Sequence, residues 1–261
     1  MRGIELIGHR GASFDAPENT LAAFRLAWEQ GADGIEGDFR LTRDGEIVCL
    51  HDSTTRRTAG RNLAVAGATL AELRALDAGA QKGEAWAGER IPTLREVIAT
   101  VPPGKRLFIE LKSGPEILLP LAAILAEPGL APEQAVILSF SDEVVAQSRQ
   151  LLPEVKALWI TDYKRDWHCG GWSPAIGEVL RTLERIGATG LASRAHRSID
   201  AAFVRALHSA GMELHAWTVD APRTAARFLA LGADSIFTNR PGWLRERLPS
   251  VPREKACSGA P

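Results

Sequence analysis

Short apolar runs of strand type alternate with amphipathic runs of helix type along this chain, and the exchange occurs eight times. Strands are predicted at 4–8, 34–40, 107–112, 135–140, 156–161, 190–194, 213–219 and 235–239. The helices between and after them are predicted at 20–30, 93–101, 116–127, 142–152, 174–186, 199–210, 222–231 and 242–248. Consecutive strands separated by helices have to run parallel, because a parallel pair needs a long crossover. Eight such units close a (β/α)8 TIM barrel, an α/β fold, and 261 residues suit a single domain of that kind. The domain is expected to span 1–248. An insertion at 52–91, between strand 2 and its helix, carries a helical stretch at 70–76 and a Gly-rich run, and reads as a lid. Residues 249–261, with Pro, Gly and Ser and no periodicity, read as a mobile tail.

Barrel chemistry gathers at the C-terminal strand ends, where His9, Glu36, Asp38, Glu110, Lys112, Trp217 and Asn239 fall. A strand sends alternate side chains to opposite faces. Glu36 and Asp38 therefore share a face against Ile35, Gly37 and Phe39. Glu110 and Lys112 side with Phe108 against the apolar row Leu107, Ile109 and Leu111. Three carboxylates turned inward lose their hydration and need a compensating charge, which a divalent cation supplies most simply. An oxygen-only donor set favours one hard ion, Mg²⁺ or Ca²⁺, over zinc. His9 and His51 bracket the Glu36–Asp38 pair in sequence.

A formal net charge of -1 gives no electrostatic reason for a nucleic-acid or anionic-membrane partner. The start lacks the apolar core of a secretory signal, and no apolar run approaches the roughly 18 residues of a membrane helix. Cys49, Cys169 and Cys257 are scattered and odd in number, which fits reduced thiols in the cytoplasm. Nothing in these patterns specifies an oligomeric state.

Seven strings carry a resemblance that spans residues 4 to 243. They are HRGASFDAPENT at 9–20, IEGDFRLTRDGEIVCLHD at 35–52, IPTL at 91–94, IELK at 109–112, LSF at 138–140, AWTVD at 216–220 and FTNRP at 237–241. In this order and spacing they resemble the glycerophosphodiester phosphodiesterase family. The resemblance implies a TIM barrel that hydrolyses glycerophosphodiesters to glycerol 3-phosphate and an alcohol with a divalent metal. It further implies that Glu36, Asp38 and Glu110 hold the metal and that His9 and His51 form the acid–base pair. Arg10 and Lys112 would contact phosphate, and Glu18 and Asn19 would shape the site. The chain departs from the family habit at Phe39, Asp220 and Asn239, where an aliphatic residue, Asn and Asp are common; no charge the chemistry needs is removed.

Other features have plainer readings. His168, His196, His208 and His215 are expected to be structural, with His215 in the core or on the strand face opposite Glu213. His168 and Cys169 are expected in a loop over the barrel mouth. Arg43, Arg56 and Arg57 read as solvated charges. Among seven Trp, Trp217 is the one expected in the cleft, its indole face packing on glycerol or a choline-like cation. Two further readings accompany the main one: a phospholipase C- or D-like lyase that stops at a cyclic phosphate, and a catalytically silent phosphodiester-binding barrel.

Overall fold

The computed structural model describes residues 4–165 and 171–248. Eight parallel strands form the barrel: β1 Glu5–His9, β2 Gly34–Leu41, β3 Arg106–Leu111, β4 Ala135–Ser139, β5 Lys156–Thr161, β6 Gly190–Arg194, β7 Glu213–Trp217 and β8 Ser235–Thr238. Each pairs with its successor, and β8 pairs with β1 to close the ring. The helices that follow the strands are α1 Leu21–Glu29, α2 Leu94–Ile98, α3 Leu118–Leu125, α4 Asp142–Leu151, α5 Ile176–Ile186, α6 Ala201–Ser209, α7 Pro222–Leu231 and α8 Pro241–Arg245. The sequence-based alternation is thus realised unit by unit. Helix α2 is shorter than expected: Thr93 starts it in a capping box with Glu96, and it has ended before Pro102 and Pro103, which cannot continue a helix.

Strand parity divides the core. Ile35, Phe39, Leu107, Ile109 and Leu111 pack outward with Phe24 and the other helix side chains. Ile7, Phe108, Val136, Leu138, Leu158, Ile160, Ala192 and Phe237 fill the barrel interior. This inner plug forms the floor on which the polar residues of the next level stand. Register sets that level, because β1 aligns His9 with Glu36 and β2 aligns Asp38 with Glu110.

Residues 42–93 contain an element that the sequence reading passed over. Ile47–Cys49 returns antiparallel along β2, with Phe39 beside Cys49 and Leu41 beside Ile47. The Asp44–Gly45 pair was a usable hairpin signal, and Gly45 takes the left-handed conformation such turns require, φ 84°. Beyond it, Val48, Leu50, Val65, Ala68, Leu73, Ala78 and Ile91 make a small core of their own. The expected helix at 70–76 is Leu70–Arg74, capped by Thr69 and Glu72.

Charges at the N-terminal barrel end are paired. Arg106 meets Glu5, Lys156 Nζ lies 2.6 Å from Glu213, and Lys105 and Arg245 both meet Asp33. His215 corrects one expectation. It lies on the same strand face as Glu213, as a spacing of two requires, with Nε2 3.4 Å from the Glu213 carboxylate and Nδ1 2.7 Å from Ser235 Oγ. It is fully buried beside Phe108 and Phe237, so its core reading stands. The expected loop at His168–Cys169 and the tail at 249–261 lie outside the described residues.

Candidate active site

The site begins where β1 turns over. Arg10 adopts φ 56° and Gly11 φ 81°, and a Cβ on Gly11 would sit 2.5 Å from the backbone of Ala23. A left-handed non-glycine residue is strained, and such strain tends to sit at functional positions. Here it aims the Arg10 N–H at Glu36 Oε2, 2.9 Å away. The Arg10 side chain lies across Asp38, Nε to Oδ2 3.1 Å, and its Nη1 donates to Glu18 at 2.9 Å. Asn19, also left-handed at φ 60°, clamps Asp38 from both sides: Nδ2 donates to Oδ2 at 2.8 Å, and Oδ1 accepts the Asp38 N–H at 3.2 Å.

Glu36, Asp38 and Glu110 are buried, and their ligand oxygens lie within 4.8 Å of one another. Lys112 reaches both Asp38, at 3.1 Å, and Glu110. The positive charge is unequally shared. Burial alone would raise Asp38, but Arg10 and Lys112 outweigh it and hold its carboxyl at about 2. Burial and the Asp38 charge push Glu36 and Glu110 up to about 8. Glu36 Oε1 has no hydrogen-bond partner. An orphaned buried carboxylate oxygen beside two others is what a hard cation would satisfy, so the donor set fits Mg²⁺ or Ca²⁺.

The two histidines are held differently. His9 Nδ1 lies 2.7 Å from Asn239 Oδ1, while Asn239 Nδ2 donates to Asp220 at 2.6 Å. Because Asp220 accepts from the Asn239 amide, the amide oxygen must face His9, so Nδ1 carries the hydrogen and Nε2 is the free nitrogen. That Nε2 is 4.0 Å from Glu36 Oε2. His51 Nδ1 instead meets a carboxylate, Asp52 Oδ1, at 2.7 Å, and Arg40 holds the His51 carbonyl. Burial first, then the Arg10 charge, lowers His9; burial also lowers His51, against the pull of Asp38 and Asp52.

One open cleft joins these groups. His9, Arg10, His51, Glu110 and Lys112 line its polar side, while Leu138, Phe140, Ile160, Trp217 and Phe237 line an apolar side. Trp217 stands there edge-to-face with Phe140, its Nε1 donating to the Ala192 carbonyl at 3.1 Å. The candidate residues read from the sequence thus meet at one end of the barrel. Four others were missed as site residues. Asp220 stood out only as a departure and Asn239 only as a departure at a strand end, although together they hold His9. Asp52 stands next to His51 in sequence, which was the available signal. Arg57 is exposed, as read, but it is also paired, binding Asp52 and Glu18 together, both at 2.7 Å. Arg43 is likewise paired, with Glu72 at 3.4 Å.

The chain matches the model of the glycerophosphoryl diester phosphodiesterase family over residues 9–243. It is 35% identical to a Caldanaerobacter subterraneus glycerophosphodiester phosphodiesterase over 90% of this chain and 94% of that protein. A Bacillus subtilis protein of the same name is 31% identical over 90% of this chain and 83% of its own length. Among solved structures, an Oleispira antarctica phosphodiesterase in complex with the product sn-glycerol-3-phosphate superposes with a TM-score of 0.83 at 28% identity, covering 94% of this chain and 96% of that one.

Proposed function

The chain belongs to the glycerophosphoryl diester phosphodiesterase family and is a phosphoric diester hydrolase, and from that premise we propose that it cleaves glycerophosphodiesters to sn-glycerol 3-phosphate and an alcohol at the Glu36–Asp38–Glu110 cluster. Glu36, Asp38 and Glu110 would hold one divalent cation, Mg²⁺ or Ca²⁺, whose chemistry is to neutralise charge on the phosphate oxygens. Arg10 and Lys112 stand beside those carboxylates and take the remaining phosphate charge. Trp217 and Phe140 offer an apolar wall to the glycerol or alcohol carbons.

The environments of the histidines support different roles for the two. His9 is lowered by burial and by the Arg10 charge, and the neutral Asn239 amide favours an imidazolium less than a carboxylate would, so its free Nε2 is the proton acceptor near neutral pH. Burial lowers His51 too, but the Asp52 carboxylate behind it favours the charged ring more than the Asn239 amide does for His9, so His51 is the one to supply the proton to the departing alkoxide. The observation that carries this reading is the buried acidic triad with its unpartnered Glu36 oxygen, flanked by two histidines whose Nδ1 atoms are already engaged.

We assign the segment 52–91 the role of a lid that favours soluble deacylated diesters, and the cytoplasm as compartment. No described helix is long and apolar enough to cross a membrane. The test is a coupled assay for glycerol 3-phosphate on glycerophosphocholine, glycerophosphoethanolamine and diacyl phosphatidylcholine vesicles, with and without a chelator. Turnover of the two soluble diesters that stops on chelation and resumes with added Mg²⁺ or Ca²⁺ is expected. Undiminished turnover after exhaustive chelation, or equal rates on vesicles, would overturn the metal and the lid respectively.

A further inference from the structure

A half-exposed arginine of the insertion ties the acid–base residue to the phosphate-binding residue. Arg57 presents two edges of its guanidinium. Nε donates to Asp52 Oδ2 at 2.7 Å and Nη2 to Asp52 Oδ1 at 3.2 Å. Nη1 donates to Glu18 Oε2 at 2.7 Å and Nη2 to Glu18 Oε1 at 2.8 Å. Asp52 Oδ1 in turn holds His51 Nδ1, and Glu18 Oε1 holds Arg10 Nη1. An unbroken chain of charge-assisted contacts therefore runs from His51 through Asp52, Arg57 and Glu18 to Arg10. It joins two loops that share no strand: the connection from β1 to α1, and the insertion after Cys49.

The platform beneath Arg57 is closed on itself. The short helix Arg56–Ala59 ends at left-handed Gly60, and Thr55 exchanges backbone bonds with Leu63 at 3.0 Å and Ala59 at 2.8 Å. Its hydroxyl also accepts the Leu63 N–H at 3.1 Å. Arg57 does not line the cleft, so it acts through the residues it holds. Exposed ion pairs contribute little to folding, whereas a planar fork fixes direction. Each carboxylate here gives both oxygens to the arginine and shares one of them with a residue facing the cleft.

We propose that Arg57 is a positioning residue that sets His51 and Arg10 in mutual register, so that the proton donor and the phosphate-binding guanidinium are aligned by one side chain of the insertion. The proposal rests on the functional reading above. Only arginine can serve both carboxylates bidentately; lysine, a point charge without a planar fork, can pair with carboxylates but does not fix their direction.

The experiment measures kcat and KM on glycerophosphocholine for the full chain and for Arg57→Lys, Arg57→Gln, Asp52→Asn, Glu18→Gln and the two double variants that combine Arg57→Gln with each partner. Arg57→Gln is expected to lose on the order of 10²-fold in kcat/KM, as misplacement of catalytic groups does, with kcat falling through His51 and KM rising through Arg10. Asp52→Asn should lower mainly kcat and Glu18→Gln raise mainly KM. Each double variant should lose less than the product of its single losses. Arg57→Lys should recover only part. Arg57→Gln within about twofold of the unaltered enzyme, or losses that multiply, would overturn the proposal. Proton–nitrogen NMR supplies a readout that needs no turnover. The His51 Nδ1–H resonance should be shielded from exchange in the unaltered chain and lost in both Arg57 variants; its persistence in Arg57→Gln would refute the coupling. If the unaltered enzyme hydrolyses no glycerophosphodiester, the functional reading fails while the NMR result still decides the coupling.

Discussion

At the N-terminal end of the barrel Glu5 meets Arg106, Glu213 meets Lys156, and Asp33 meets Lys105 and Arg245. At the C-terminal end three carboxylates meet one another first, and only Asp38 is fully served by Arg10 and Lys112. The same residue types therefore titrate in opposite directions. Partial burial would raise Glu213, but His215 and Lys156 outweigh it and hold it at about 2. Glu36 and Glu110 are pushed up to about 8. One end is arranged for stability, and the other leaves a charge deficit for a ligand to fill.

That difference makes one kind of substitution act oppositely at the two ends. Glu36→Gln should cut turnover by about 10³-fold, since it removes the negative charge and leaves one oxygen to serve either the Arg10 N–H or a cation, not both. The coupled assay measures this, and a loss below about tenfold would place the metal elsewhere. His9→Ala and His51→Ala should each lose roughly 10²-fold in kcat while still folding and binding metal, as seen by circular dichroism and metal titration.

At the other end, Glu213→Gln should leave kcat/KM within about twofold and cost roughly 1–2 kcal/mol of stability, read from urea unfolding at pH 7. The sign follows from linkage. A carboxyl whose folded value is depressed to about 2 from 4.5 stabilises the fold above pH 4.5, and that contribution is lost as pH falls towards 2. The variant should therefore show a flatter acid-unfolding curve. For Glu36 the folded value is raised from 4.5 to about 8, so the metal-free fold loses stability as pH climbs through that window. Glu36→Gln should accordingly melt at or above the unaltered chain in chelator at pH 8, the opposite sign to Glu213→Gln. The smallest effect tests the tether of His9. Exchanging the pair, Asn239→Asp with Asp220→Asn, would put a carboxylate on His9 Nδ1 and stabilise the imidazolium. The acid limb of the kcat/KM profile should move up by up to about one pH unit. An unmoved limb would take His9 out of the base role.

How far the sequence carried this picture depends on the range of the signal. Strand parity is local, so Glu36, Asp38, Glu110 and Lys112 could be oriented inward from their own segments, and the floor of Phe108 with them. The resemblance gathered His9, His51, Arg10, Glu18 and Asn19 across the chain. What escaped were contacts between loops distant in sequence. Asn239 reaches His9 across 230 positions and Arg57 reaches Glu18 across 39, and neither hydrophobic period nor spacing encodes such pairs. For His215 the core and the face opposite Glu213 were both left open, although parity with Glu213 was sufficient to exclude the second. The Ile47–Cys49 strand was lost because three residues are too few to show an alternation.

With Glu36 and Glu110 pushed up to about 8, a cation held by Glu36, Asp38 and Glu110 would have to displace protons at pH 7. Calorimetric titration of Mg²⁺ or Ca²⁺ into the chelator-treated protein, repeated in buffers of different ionisation enthalpy, counts those protons directly. The expectation is binding at one site with proton release at pH 7 that fades above pH 8, where Glu36 and Glu110 are already ionised, and with less release in Glu36→Gln, where only Glu110 is left to give up a proton. Absence of binding, or binding with no proton release at pH 7, would contradict it.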